Sequence, residues 1–127
     1  MLLTAPTFTQ SPKKQFLQEL TILFASYQID KVKTFFADDI TWTLVGDQPV
    51  HGKEAFAEAL NRMAGNKATA LTIHTILTHG KEATIHGEMT MADGKRFGFA
   101  DYYTFTSAGI KKIQSITSYV IELHDAP

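Results

Sequence analysis

The sequence predicts an α+β fold, and three observations carry that prediction. Apolar residues recur at helical spacing within the first 64 positions, strand-like alternation fills nearly everything after residue 67, and tight-turn residues punctuate this second part. Helices followed by an antiparallel run describe a sheet with helices packed on one side. With 127 residues and 44% hydrophobic side chains, the expectation is one domain with a single core over 11–127, behind a flexible N-terminal arm of 1–10.

Ser11-Pro12 supplies an N-cap and then proline at the first helical position, where its missing N–H is not needed. Phe16, Leu17, Leu20, Leu23, Phe24 and Tyr27 follow on one face, which predicts a helix over 12–29. Asp30 can cap a second, short helix with Val32, Phe35 and Phe36 inward, ended by Asp38-Asp39. Residues 40–45 alternate as a strand until the turn cluster Gly46-Asp47-Gln48-Pro49. A third helix over 53–64 carries the apolar stripe Ala55, Phe56, Ala59, Leu60 and Met63, with Glu58 and Arg62 paired on its wet face. Gly65-Asn66 stops it. Strands are expected at 68–78, 82–91, 95–106 and 111–123, with turns at Ala92-Asp93-Gly94 and Ser107-Ala108-Gly109.

Composition narrows the function classes. Twelve Lys and Arg against thirteen Asp and Glu leave a net charge of −1, and no basic run exceeds a pair, so the footprint of a nucleic-acid binder is missing. The absence of cysteine excludes disulfides, thiolate chemistry and Cys-ligated metal. Residues 1–10 lack the basic and apolar regions of a secretory signal, and no run approaches the about 18 apolar residues of a membrane span. A cytoplasmic protein without a membrane or nucleic-acid partner is the expectation. No P-loop, dinucleotide fingerprint, nucleophile elbow or zincin motif occurs, so no cofactor is expected.

Alternate residues of a strand share a face. Over 95–106 one face carries Phe97, Phe99, Asp101, Tyr103 and Phe105, a natural concave lining with one carboxylate in its middle. Desolvation there raises a carboxyl pKa toward neutrality, where it can donate or accept a proton. Over 82–91 one face holds Ala83, Ile85, Gly87, Met89 and Met91, and the other Glu82, Thr84, His86, Glu88 and Thr90. Hydrophobicity turns the first set inward. Ile40, Trp42 and Leu44 share a third face.

Three stretches, FADDITWTLVGDQPVHGKEAFAEAL (36–60), GKEATIHGEMTMADGKRFGFADYYTF (80–105) and KKIQSITSYVIEL (111–123), resemble the nuclear transport factor 2-like superfamily. This superfamily includes SnoaL-like polyketide cyclases and ketosteroid isomerases. The resemblance implies a cone-shaped α+β barrel: three N-terminal helices packed on a curved, mainly antiparallel sheet enclosing a pocket. ADYYTF is similar to the isomerase segment that carries its proton-donating aspartate, which matches Asp101. Counting back from it without a gap puts Thr84, His86 and Glu88 on the pocket face, and this register is preferred here over the hydrophobic count. The apolar set of 82–91 then covers a subunit interface, so the resemblance implies a homodimer through the outer sheet face. The isomerase's general base falls on Leu44, which cannot take a proton, so the isomerase's own mechanism is excluded. Tyr27 lies too late in the first helix to match its tyrosine donor. In the last strand the inward set is Ser115, Thr117 and Tyr119, with a bulge near 113–116.

The resulting site has Asp101, His86 and Glu88 as catalytic candidates and Trp42, Leu44, Phe56, Phe97, Phe99, Tyr103, Thr117 and Tyr119 as ligand-binding ones. No metal is expected, since no third ligand joins His86 and Glu88 at a recognisable spacing. His51, His74, His79 and His124 read as structural or surface histidines. Two readings stay open. One is a cofactor-free acid/base enzyme, an isomerase, cyclase or hydratase acting on a small hydrophobic carbonyl compound. The other is a non-catalytic ligand-binding or protein-interaction module. A limonene epoxide hydrolase-like reading is weaker, because that chemistry uses an Asp–Arg–Asp set and Arg96 faces away from Asp101. A second titratable group beside Asp101 favours catalysis; a lone acid favours binding.

Overall fold

The computed structural model describes residues 1–7, 11–110 and 112–124. Residues 8–10 of the expected arm lie outside them, but its beginning is ordered: Leu2–Thr4 forms strand β1 and pairs in parallel with Ala70, Leu71 and Thr72.

Helix α1, Pro12–Ala25, starts as the sequence predicts, with the Ser11 hydroxyl accepting from the Lys14 N–H at 3.4 Å. It stops four residues before the expected end. Tyr27 takes a left-handed conformation (φ 51°), and the Ser26 and Gln28 N–H groups fold back to the Ile22 and Leu23 carbonyls. Glycine or asparagine normally signals such a stop, so nothing in the sequence marks this one. Helix α2 is short, Ile29–Lys33, and Asp30 lies in its first turn rather than at its cap.

Phe36 belongs to the following strand rather than to α2. Strand β2 runs Phe36–Leu44, with Phe36 and Ile40 fully buried and the Asp38-Asp39 pair exposed in its first half. The two-residue strand β3, Val50–His51, pairs back onto Thr41 and Trp42. Helix α3, Lys53–Met63, then buries Phe56, Ala57, Ala59 and Leu60.

Four long strands complete the chain: β4 (Ala68–His79), β5 (Glu82–Met91), β6 (Arg96–Phe105) and β7 (Ile113–Leu123). The seven strands among the described residues form one mixed sheet in the order β1-β4-β5-β6-β7-β2-β3, with β1 and β3 as its separate edges. The sheet is therefore curved but unclosed. The pairs β1–β4 and β2–β7 are parallel and the rest antiparallel. Helix α1 packs on β4 and α3 on β2, so the core lies between helices and sheet, built from Leu17, Leu20, Ile40, Phe56, Leu71, Ile73, Ile85 and Ile113. No helix among the described residues is long and apolar enough to cross a membrane.

Two face assignments are corrected. In β5 the apolar set turns inward, with Ala83 8%, Ile85 0% and Met91 6% exposed, while His86 is exposed on the outer face with Thr84 and Glu88. The hairpin explains it: Met89 pairs with Phe97 and Ile85 with Asp101, so odd-numbered residues face odd-numbered ones. The apolar patch invoked for a homodimer is thus core or cavity wall, and that argument for an interface lapses. In β7 the inward set is Ile116, Ser118 and Val120, not Ser115, Thr117 and Tyr119. Thr104 pairs with Ser115 but Phe105 pairs with Ile113, so Gln114 is a bulge that switches the inward parity between Ile113 and Ile116.

Candidate functional site

Helices and sheet leave between them an open cavity of about 680 Å³, framed by α1, α3 and the concave faces of β2 and β4–β7. Its wall is mostly apolar. Trp42, Leu44, Phe56, Phe97, Phe99 and Tyr103, six of the residues expected to bind a ligand, line it. Trp42 stacks on Phe56 (centroids 4.7 Å, planes 8° apart), and Phe56 stacks in turn on Phe36 at 4.6 Å. This column fixes the indole at the cavity wall, because neither ring can turn without breaking the next contact.

Asp101 sits within this wall, facing Ser118 on β7 and Ile85 on β5. The Ser118 hydroxyl is hydrogen-bonded to the Asp101 carboxylate, and the Trp42 indole Nε1–H donates to Ser118 Oγ at 3.1 Å. Burial pushes the Asp101 carboxyl from its ordinary 3.8 up to about 6, and the Ser118 hydrogen bond restrains the rise. The neighbouring Tyr103 phenol is driven well above its ordinary 10.0 by burial and then by the Asp101 charge, so it stays neutral. The remaining polar lining comes from Thr21, Tyr27, Arg62 and Asn66. Thr21 donates to the Leu17 carbonyl at 2.7 Å, and burial raises the Tyr27 phenol.

The other expected catalytic residues are elsewhere. Glu88 lies on the outer face, bonded to His74 Nε2 at 3.0 Å and Arg96 Nη2 at 3.3 Å, and the His74 hydrogen bond leads in lowering its pKa. The His86 ring lies beside His74, centroids 5.5 Å apart. The sheet backbone separates all of them from Asp101. No group of three or more His, Asp or Glu among the described residues is arranged to hold a metal ion. Thr117 and Tyr119 are also outside, where Tyr119 packs edge-on against Tyr102. Sequence reasoning passed over Ser118, Met89, Met91, Tyr27 and Arg62 as cavity residues. Ser118 was within reach, since the residue opposite a buried aspartate on the next strand is its natural hydrogen-bond partner.

A family model for the SnoaL-like domain matches residues 17–114, most of the chain. The protein belongs to the SnoaL-like domain family. Among solved structures, this SnoaL-like protein is similar to a nuclear transport factor 2-like protein of unknown function from Cytophaga hutchinsonii, with 28% identity and a TM-score of 0.64 over 82% of this chain and 95% of that one. A nuclear transport factor 2-like protein of unknown function from Burkholderia xenovorans superposes with a TM-score of 0.72 at 16% identity, covering 90% and 86%. An LEH-like epoxide hydrolase from M. tuberculosis gives 0.69 at 18% identity, covering 83% and 79%. The last two likenesses are of fold alone. No functionally curated protein matches the SnoaL-like chain in sequence.

Proposed function

We propose that the cavity takes a small, mostly apolar molecule bearing one carbonyl or hydroxyl group, which meets Asp101, and that the chemistry there is cofactor-free proton transfer by this single carboxyl group. The observation that carries the reading is an aspartate in an aromatic cavity wall, held by Ser118 with its pKa brought to about 6. At pH 7 such a group is mostly ionised yet holds a proton far better than an exposed carboxylate, the balance wanted of a general base. Removal of a proton from the carbon beside a carbonyl, followed by its return, needs no second residue to balance. Epoxide opening by an Asp–Arg–Asp set is not supported, since Asp101 is the only acid among the described residues lining the cavity.

That same isolation favours a second reading, binding without turnover. Solvent exchange separates the two. In buffered D₂O, 2-tetralone, an apolar ketone with exchangeable protons beside its carbonyl, should lose those proton signals faster with the protein than with Asp101→Asn, and the rate should rise through pH 6. Binding seen as a change in Trp42 fluorescence, with exchange no faster than for the Asn variant, would leave a binding protein.

A further inference from the structure

Two charged residues line the cavity among those described, and they lie at different levels. Asp101 is in the wall of the chamber, at the middle of β6. Arg62 is on the last turn of α3, its side chain 69% exposed, so it reaches the cavity from the solvent side. Asn66 donates to Asp93 at 3.4 Å and the Ala92 N–H to the Lys67 carbonyl at 2.8 Å, so the turn after α3 is tied to the β5–β6 hairpin. The arginine therefore stands over the hairpin end of the cavity. Phe97, at that end, is four residues from Asp101 along β6, a distance of roughly 13 Å in extended chain. The parts of the wall that α3 and the β5–β6 hairpin supply are mostly apolar, with Leu60, Met63, Met91 and Phe97.

We infer that the cavity is built for an amphiphile with a carboxylate at one end, whose anionic end sits at Arg62 in the mouth while its apolar body runs inward toward Asp101. The charges fix the direction. A carboxylate carried inward would lose its hydration among aromatic rings and face the Asp101 carboxylate, whereas at the mouth it keeps water and gains a guanidinium. Arg62 is held loosely enough to serve. Its contact is Glu58 Oε1 at 3.5 Å, an exposed pair one helical turn away with little strength in water. This ligand class rests on the cavity reading proposed above, and Arg62 is the residue that selects it.

The probes are decanoate and its uncharged analogue decanamide, titrated at pH 7.5 in low salt and followed by Trp42 fluorescence and by NMR of the cavity methionine methyl groups. Decanoate should bind roughly two- to fivefold more tightly than decanamide, the range of a partly exposed arginine–carboxylate contact. Arg62→Gln should erase that preference, bringing decanoate affinity down to that of decanamide for the same variant, and Glu58→Gln should widen it. Equal affinities in the native protein, or a preference that survives Arg62→Gln, would overturn the inference while leaving an apolar pocket in place. If neither probe binds, the cavity reading falls and the inference falls with it.

Discussion

Replacing Asp101 with asparagine should stabilise the protein at neutral pH. The folded state holds this carboxyl at a pKa near 6, against 3.8 for an ordinary aspartate. A group whose pKa is raised on folding binds more protons in the native state than in the unfolded one between those values, so its contribution to stability falls as pH rises from about 4 to 6 and stays low above. A rise of this size corresponds to about 3 kcal/mol, and water reaching the carboxylate through the open cavity trims it to about 2 kcal/mol. Asparagine keeps the shape and an oxygen for Ser118 but carries no charge to desolvate. Urea denaturation of both proteins from pH 4 to 8 isolates the effect, because every other titrating group cancels in the difference. Asp101→Asn should match the native protein near pH 4 and exceed it by about 2 kcal/mol at pH 7.5, roughly 5–10 °C in Tm. A variant less stable at pH 7.5 would show that Asp101 is a charged anchor, and a difference independent of pH would show that folding leaves its pKa unshifted; either would remove the electrostatic basis of the functional reading.

Ser118→Ala should raise the Asp101 pKa above 6, seen in the carboxyl-carbon titration by NMR, and cost about 1–2 kcal/mol because the Trp42 N–H loses its acceptor. His86→Ala and Glu88→Gln, on the outer face, should leave that titration where it is; a shift of half a unit would mean that the two faces communicate. Gly87→Ala should destabilise by about 2–3 kcal/mol or more in urea, since the added methyl meets the Thr72 backbone carbonyl, which cannot swing aside as a side chain can. Binding of 2-tetralone should weaken as pH rises through 6, when Asp101 ceases to donate to the ketone oxygen, and a flat profile would mean that the ketone does not meet Asp101.

The elements were legible because periodicity reports burial: Leu17, Leu20, Phe56 and Leu60 repeat at helical spacing and are all buried. The aromatic face of β6 and its aspartate were legible for the same reason. The β5 face was legible too, though the ungapped family count overrode it. A turn centred on Asp93 pairs residues of equal parity, so Asp101 had to share a face with Ile85 rather than His86. Hydrophobicity and hairpin geometry agreed, and local physics outranks a register borrowed across distant sequences. The β7 face needed more than pattern. A bulge at Gln114 exchanges the faces near the start of the strand, and no glycine or proline marks it. Arg62 was read as one half of a surface pair, which it also is; only the tertiary structure brings a helix end over the cavity.

The neighbours of Asp101, the only acid among the described residues lining the cavity, also orient its carboxyl group. The indole of Trp42 can only donate, so Ser118 Oγ must accept from it. The serine has one proton, which is then directed at Asp101, and one carboxylate oxygen is occupied. The stack on Phe56 holds the indole, and the parallel pairing of Trp42 with Ile116 and Leu44 with Ser118 sets the spacing between β2 and β7. Direction thus passes from a packed ring to a hydroxyl to a carboxylate. The carboxyl group lines the cavity, an acceptor above pH 6 and able to donate a proton below it. A histidine beside the aspartate would fix proton position by adding another titrating group. Here a donor-only ring and a serine supply the orientation, and under the proposed proton transfer the proton exchanged with a ligand would be that of Asp101.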